Sequence, residues 1–109
     1  MSNGYAKRTD ANHKQVVDDL RKWLHGCTVF DASGAGKGFP DLVVGWKGHN
    51  FLFELKDPEK PTSRRSLTDA QKKLFDQWQG QIHIAHSAAE VCAVIAEHVF
   101  NLAESGTNR

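Results

Sequence analysis

The chain has 109 residues, 39% of them apolar and 25% charged, and a formal net charge of +1. That length fits one domain with a single modest core, and the composition is globular, which excludes a disordered, collagenous or disulfide-built protein. No apolar run approaches membrane-spanning length, and residues 1 to 9 lack the apolar core of a signal peptide, so a cytoplasmic protein with no membrane partner is expected. A nearly neutral chain exerts no whole-molecule pull on a polyanion, and any nucleic-acid contact must be local.

Residues 1 to 8 are small, polar and basic and read as a flexible arm. A single domain is expected over 9 to 103, followed by a flexible tail over 104 to 109. His13, Val17, Leu20 and Leu24 recur at helical spacing, which predicts a first helix from Asp10 to Leu24 stopped by Gly26. Asp10 lies on the same stripe, one turn before His13. It is either an N-terminal acid favoured by the helix dipole or a residue turned toward a site. Cys27 to Ala32 predicts a short strand. Cys27 and Cys92 lack zinc-site spacing and read as small buried hydrophobes.

Ser33-Gly34-Ala35-Gly36-Lys37-Gly38 is a glycine-rich loop. It is no phosphate-binding P-loop, because Gly38 stands where Ser or Thr is required and Pro40 introduces a strand instead of a helix. Lys37 and Ser33 remain candidate phosphate contacts, beside the plainer reading of a strand connection.

Two apolar strands follow, Asp41 to Gly45 and Asn50 to Lys56, joined through Trp46-Lys47-Gly48-His49. Alternation puts Leu52, Glu54 and Lys56 on one face and Phe51, Phe53 and Leu55 on the other. Paired as a hairpin, the strands bring Asp41 and Glu54 together at their open end. Two converging carboxylates repel and are costly to bury unless a cation lies between them. Mg²⁺, which takes oxygen ligands and is commonly held by one or two carboxylates and a substrate phosphate, suits that pattern.

From Lys56 to Lys73 six basic residues, among them Lys60, Arg64, Arg65 and Lys72, face three acidic ones, a local surplus beside the carboxylates. Thr68-Asp69-Ala70-Gln71 is a capping box opening a helix to about Gln79. Gln71 shares the packing stripe with Leu74, Phe75 and Trp78, and it either only caps Thr68 or also reaches the site. A strand is predicted over Gln81 to His86 with Ile82 and Ile84 inward. Ser87 to Glu90 reads as a second capping box, and a last helix from Ala88 to Leu102 buries Val91, Val94, Ile95, Val99 and Leu102. The histidines read as structural or surface residues, except His13 on the buried side of the first helix.

Pro40-Asp41 followed by Glu54-Leu55-Lys56 resembles the signature of the PD-(D/E)xK nuclease superfamily. The Gly38-Phe39-Pro40-Asp41 turn and Gln71 make the chain similar to its VRR-NUC branch over roughly residues 9 to 100. The resemblance implies an α/β, restriction-endonuclease-like core, a mixed sheet flanked by helices in the order α-β-β-β-α-β-α. It implies a Mg²⁺-dependent deoxyribonuclease, with Mn²⁺ as a substitute, in which Asp41, Glu54, Lys56 and Gln71 are catalytic. Asp41, Glu54 and the Leu55 carbonyl would hold metal, joined by an acid of the first helix, with Asp10, Asp18 and Asp19 as candidates. Lys37, Ser33, Lys60, Arg64, Arg65 and Lys72 would contact DNA. Stand-alone members look like homodimers acting on branched DNA such as four-way junctions. Alternatives are a nuclease of linear or single-stranded DNA, a catalytically silent DNA-binding module, and a structural protein using the same residues as a buried ion-pair network.

Overall fold

Apolar residues at alternate positions of three successive strands, Val29, Leu42 with Val44, and Phe51 with Phe53, need a common cover, and the fold supplies it with two helices on one face of a sheet. The computed structural model describes residues 3 to 57 and 67 to 104, with side chains from Asn12 onward. The elements are α1 (Asn3–Trp23), β1 (Thr28–Asp31), β2 (Leu42–Trp46), β3 (His49–Leu55), α2 (Asp69–Gln77), β4 (Gln81–Ala85) and α3 (Ala88–Glu104). This is the expected α-β-β-β-α-β-α order, built on a four-stranded mixed sheet ordered β1-β2-β3-β4. β1, β2 and β3 are antiparallel neighbours and β4 runs parallel to β3. Among the described residues, no helix is long and apolar enough to cross a membrane.

The hairpin forms as its sequence suggests. Lys47 and Gly48 both take positive φ, 49° and 83°, the backbone of a two-residue turn whose twist matches the flanking strands. Phe51, Phe53, Leu42 and Val44 are fully buried under Val16 and Leu20 of α1, Leu24 just beyond it, and Val91 and Ile95 of α3.

Four expectations are corrected. α1 starts at Asn3, so the arm expected over residues 1 to 8 is helical from there on, in keeping with the high helix propensity of Ala6, Lys7 and Arg8. In β4 the register pairs Phe53 with His83 and Leu55 with Ala85, which turns His83 and Ala85 to the main core. Ile82 and Ile84 lie half-buried on the other face, opposite Leu52 and Glu54. Leu102 is exposed. At the start of α3, Ser87 Oγ accepts from the Glu90 N–H at 3.2 Å, but the Glu90 carboxylate accepts from the His86 N–H at 2.8 Å, so the second capping box is not reciprocal.

The face bearing Glu54 is covered by α2, no residue of which is fully buried. A capping box, a close backbone approach and an aromatic contact fix α2 there. Its capping box forms in both directions between Thr68 and Gln71. Its first turn lies against Gly38, where a Cβ would stand 2.6 Å from the Ala70 carbonyl carbon and oxygen. Gly38 also has φ +80°, so glycine is required there twice over. Phe39 then meets Trp78 edge to face at 6.1 Å.

Candidate functional site

The register that sets Leu42 opposite Phe53 brings Asp41 opposite Glu54 one step further, at the open end of the hairpin. Pro40, fully buried, leads into this position, and the Asp41 carbonyl accepts from the Ala32 N–H at 2.7 Å. One Asp41 oxygen, Oδ2, accepts from the Leu55 N–H at 2.8 Å, and Oδ1 lies 3.6 Å from His13 Nε2. The carboxylate is thereby tied to both the strand beside it and the helix behind it.

Glu54 is 5% exposed. Its Oε2 accepts from Gln71 Nε2 at 2.9 Å and lies 3.6 Å from Lys56 Nζ, while Oε1 is buried without a hydrogen-bond partner. Gln71 serves both purposes weighed for it. Its Oε1 accepts from the Thr68 N–H at 2.9 Å and lies 3.5 Å from Lys56 Nζ, and its amide nitrogen donates to Glu54. One side chain thus caps α2 and anchors it to the cluster. Asp41, Glu54, Lys56 and Gln71 come together at one end of the sheet, with Leu55 between them.

Burial, and next the charge of Asp41, pushes the Glu54 carboxyl up to about 7, against the opposing pull of Lys56. Burial likewise raises the Asp41 carboxyl, opposed by the Leu55 N–H, His13 and Lys56. Two carboxyls side by side with too little compensating positive charge are what a divalent cation would relieve. Among the described residues no three His, Cys, Asp or Glu side chains form a metal-holding group. Mg²⁺ does not need three, since it retains waters and accepts one or two carboxylates, and the unpartnered Glu54 Oε1 leaves a ligand atom to offer. The donor set fits a hard, oxygen-seeking ion.

The remaining candidates separate. Asp18 pairs with Lys14 at 3.7 Å on the surface and Asp19 accepts from Gln15 at 3.0 Å, so neither acid is turned to the cluster. The side chain of Asp10 and the whole of Lys60, Arg64 and Arg65 lie outside the described residues. Among the described residues, the α1 side chain that faces the carboxylates is His13, 4% exposed. Its position on the buried stripe was legible, but its pairing with Asp41 was not, because that depends on how α1 crosses the sheet. Ser33 donates from both its N–H and its hydroxyl to Asp31 Oδ1, at 2.9 and 2.6 Å, closing a local turn and holding the Asp31 carboxyl below its usual range. Lys37 is exposed at φ 59° in the same loop, and Lys72 is half-buried on α2.

The chain matches no protein-family model, no curated protein and no solved structure.

Proposed function

We propose that the chain is a metal-dependent deoxyribonuclease that hydrolyses phosphodiester bonds at the Asp41–Glu54–Lys56–Gln71 cluster. The observation that carries this reading is the pairing of the buried Glu54 carboxylate, which has an unpartnered oxygen, with the half-buried Asp41 carboxylate, beside a lysine and an amide. Asp41, Glu54 and the Leu55 carbonyl would hold Mg²⁺, or Mn²⁺ in its place. Bound there, the ion supplies positive charge to the scissile phosphate and the attacking water.

The protein's own groups divide the remaining work. Gln71 keeps Glu54 Oε2 in place, which leaves Oε1 free to turn to a ligand. Lys56, just past the end of β3 and two positions from Glu54, with its side chain about one-fifth exposed, orients the water and offsets charge that develops on the phosphate. Lys37, Ser33 and Lys72, with Lys60, Arg64 and Arg65, contact the backbone of the DNA, which fixes position without reading sequence.

A domain of 109 residues has little surface for reading bases. We therefore take branched DNA such as a four-way junction as the substrate, cut by a homodimer whose two sites are related by a two-fold axis. The test is gel-resolved cleavage of a labelled four-way junction, a flap and a linear duplex, each with Mg²⁺ or Mn²⁺, with Lys56→Ala as control. Paired cuts in the junction, lost in the variant, are expected. Equal cutting of all three substrates would remove junction specificity, and DNA binding without cleavage under either metal would leave a silent binding module.

A further inference from the structure

Among the described residues, two buried side-chain atoms lack a hydrogen-bond partner, Glu54 Oε1 and His13 Nδ1, and they belong to residues on either side of Asp41. The first is accounted for by the ligand role given to Glu54. The second raises the question of why α1 places a 4% exposed imidazole here with one nitrogen unsatisfied. A leucine would pack there without that cost, since a buried polar group without a partner is destabilising.

The answer lies at the other nitrogen. Nε2 stands 3.6 Å from Asp41 Oδ1, while Asp41 Oδ2 is already engaged by the Leu55 N–H. An ionised carboxylate only accepts, so a neutral imidazole set against it favours hydrogen on the facing nitrogen, which leaves Nδ1 as a bare lone pair. A bare acceptor is the less costly group to leave unsatisfied in a dry site. We infer that His13 is a positioning residue, its Nε2 facing Asp41 Oδ1 across 3.6 Å so that the carboxylate keeps one orientation as a metal ligand. The inference rests on the metal-dependent reading above. His13 is not itself assigned as a ligand, because it does not join Asp41 and Glu54 in a three-residue metal-holding group. Groups that hold a ligand from behind typically change metal affinity or activity by about 10–100-fold when removed.

The experiment uses the full chain with three substitutions. Gln places an amide nitrogen where Nε2 lies, Asn places one nearer Nδ1, and Leu fills the volume with no donor. Calorimetric titration with Mn²⁺ is expected to show His13→Leu and His13→Asn weakened by about 10–100-fold, with most of that affinity recovered in His13→Gln. In DNA cleavage, kcat is expected to follow the same order while KM for DNA stays within about twofold, because the DNA contacts lie elsewhere. Wild-type affinity in His13→Leu, or equal losses in Leu and Gln, would overturn the positioning role and leave the nuclease reading standing. A wild-type protein that binds no Mn²⁺ would overturn both. A measurement on the metal-free wild type does not depend on how the variants fold: the ¹⁵N shifts of the His13 ring are expected to report hydrogen on Nε2, and the opposite tautomer would overturn the assignment.

Discussion

The two faces of the sheet are built on different principles. Under α1 and α3, Phe51, Phe53, Leu42 and Val44 are wholly buried in continuous apolar contact, and the frame depends on volume and dryness. Under α2, no helix residue is fully buried, and the contacts that hold it are the Gln71 amide on Glu54, the Gly38 backbone under Ala70, and the edge of Phe39 on Trp78. The polar face can hold charge because the apolar face supplies the rigidity. Asp41 and Glu54 sit where the two meet, fixed by a strand register that the core enforces.

If that division is right, substitutions on the two faces separate stability from activity. The largest effect is expected from Asp41→Asn or Glu54→Gln: cleavage of DNA falls by about 10³-fold or more, since a ligand charge is lost, while the folded protein is as stable as the wild type or more so. Turnover and urea midpoints measured side by side would decide it, and unfolding that accompanied the loss of activity would erase the distinction. On the core face, Phe53→Ala is expected to cost about 3–5 kcal/mol by chemical denaturation. Trp78→Ala at the C-cap of α2, losing an edge contact on a half-exposed ring, is expected to cost about 1 kcal/mol. Equal costs at the two positions would show that α2 is part of the core after all.

Gly38→Ala sits between these extremes. Positive φ disfavours the new side chain by about 1–2 kcal/mol, and its Cβ would stand 2.6 Å from the Ala70 backbone, so either the loop or α2 must move. The expected outcome is a modest loss of stability with a loss of turnover of about tenfold, because Gln71 travels with α2. Turnover at the wild-type level would mean that Gln71 is not needed at the cluster.

How far the site could be read from sequence follows from what each residue needs. Asp41, Glu54 and Lys56 were placed by strand parity, and Gln71 by a capping box within four residues, all local signals. His13 needed the crossing of α1 over the sheet, which no local pattern encodes. β4 misled because Ile82 and Ile84 are more apolar than His83 and Ala85, so alternation selected the wrong face. The small Ala85 fits fully buried beneath the helices, and His83 stacks on Phe53 with centroids 5.6 Å apart. Gly38 was visible as part of a turn, but the helix pressing on it was not.

The most specific effect is that of pH. Glu54 titrates near 7 in the folded protein against an ordinary value of 4.5, so between those values the folded state binds more protons than the unfolded one. The stability this contributes is complete below about 4.5 and is lost as the pH rises through 7. Asp41, raised in the same direction, adds to the slope. His83 works against it, because burial lowers its titration below 6.5 and the stability lost on acidification returns as the pH rises. Asp31, lowered by Ser33, acts below its usual 3.8 and lies outside the window. The quantity to measure is therefore the difference between wild type and Glu54→Gln, in chelator, from pH 5 to pH 8. The wild type is expected to lose about 1–3 kcal/mol relative to the variant across that range. Saturating Mg²⁺ should remove the difference in slope, because the ion takes the place of the proton on Glu54. A wild-type curve that ran parallel to the variant without metal would mean that Glu54 is already compensated in the protein alone, and that the paired carboxylates have no need of a cation.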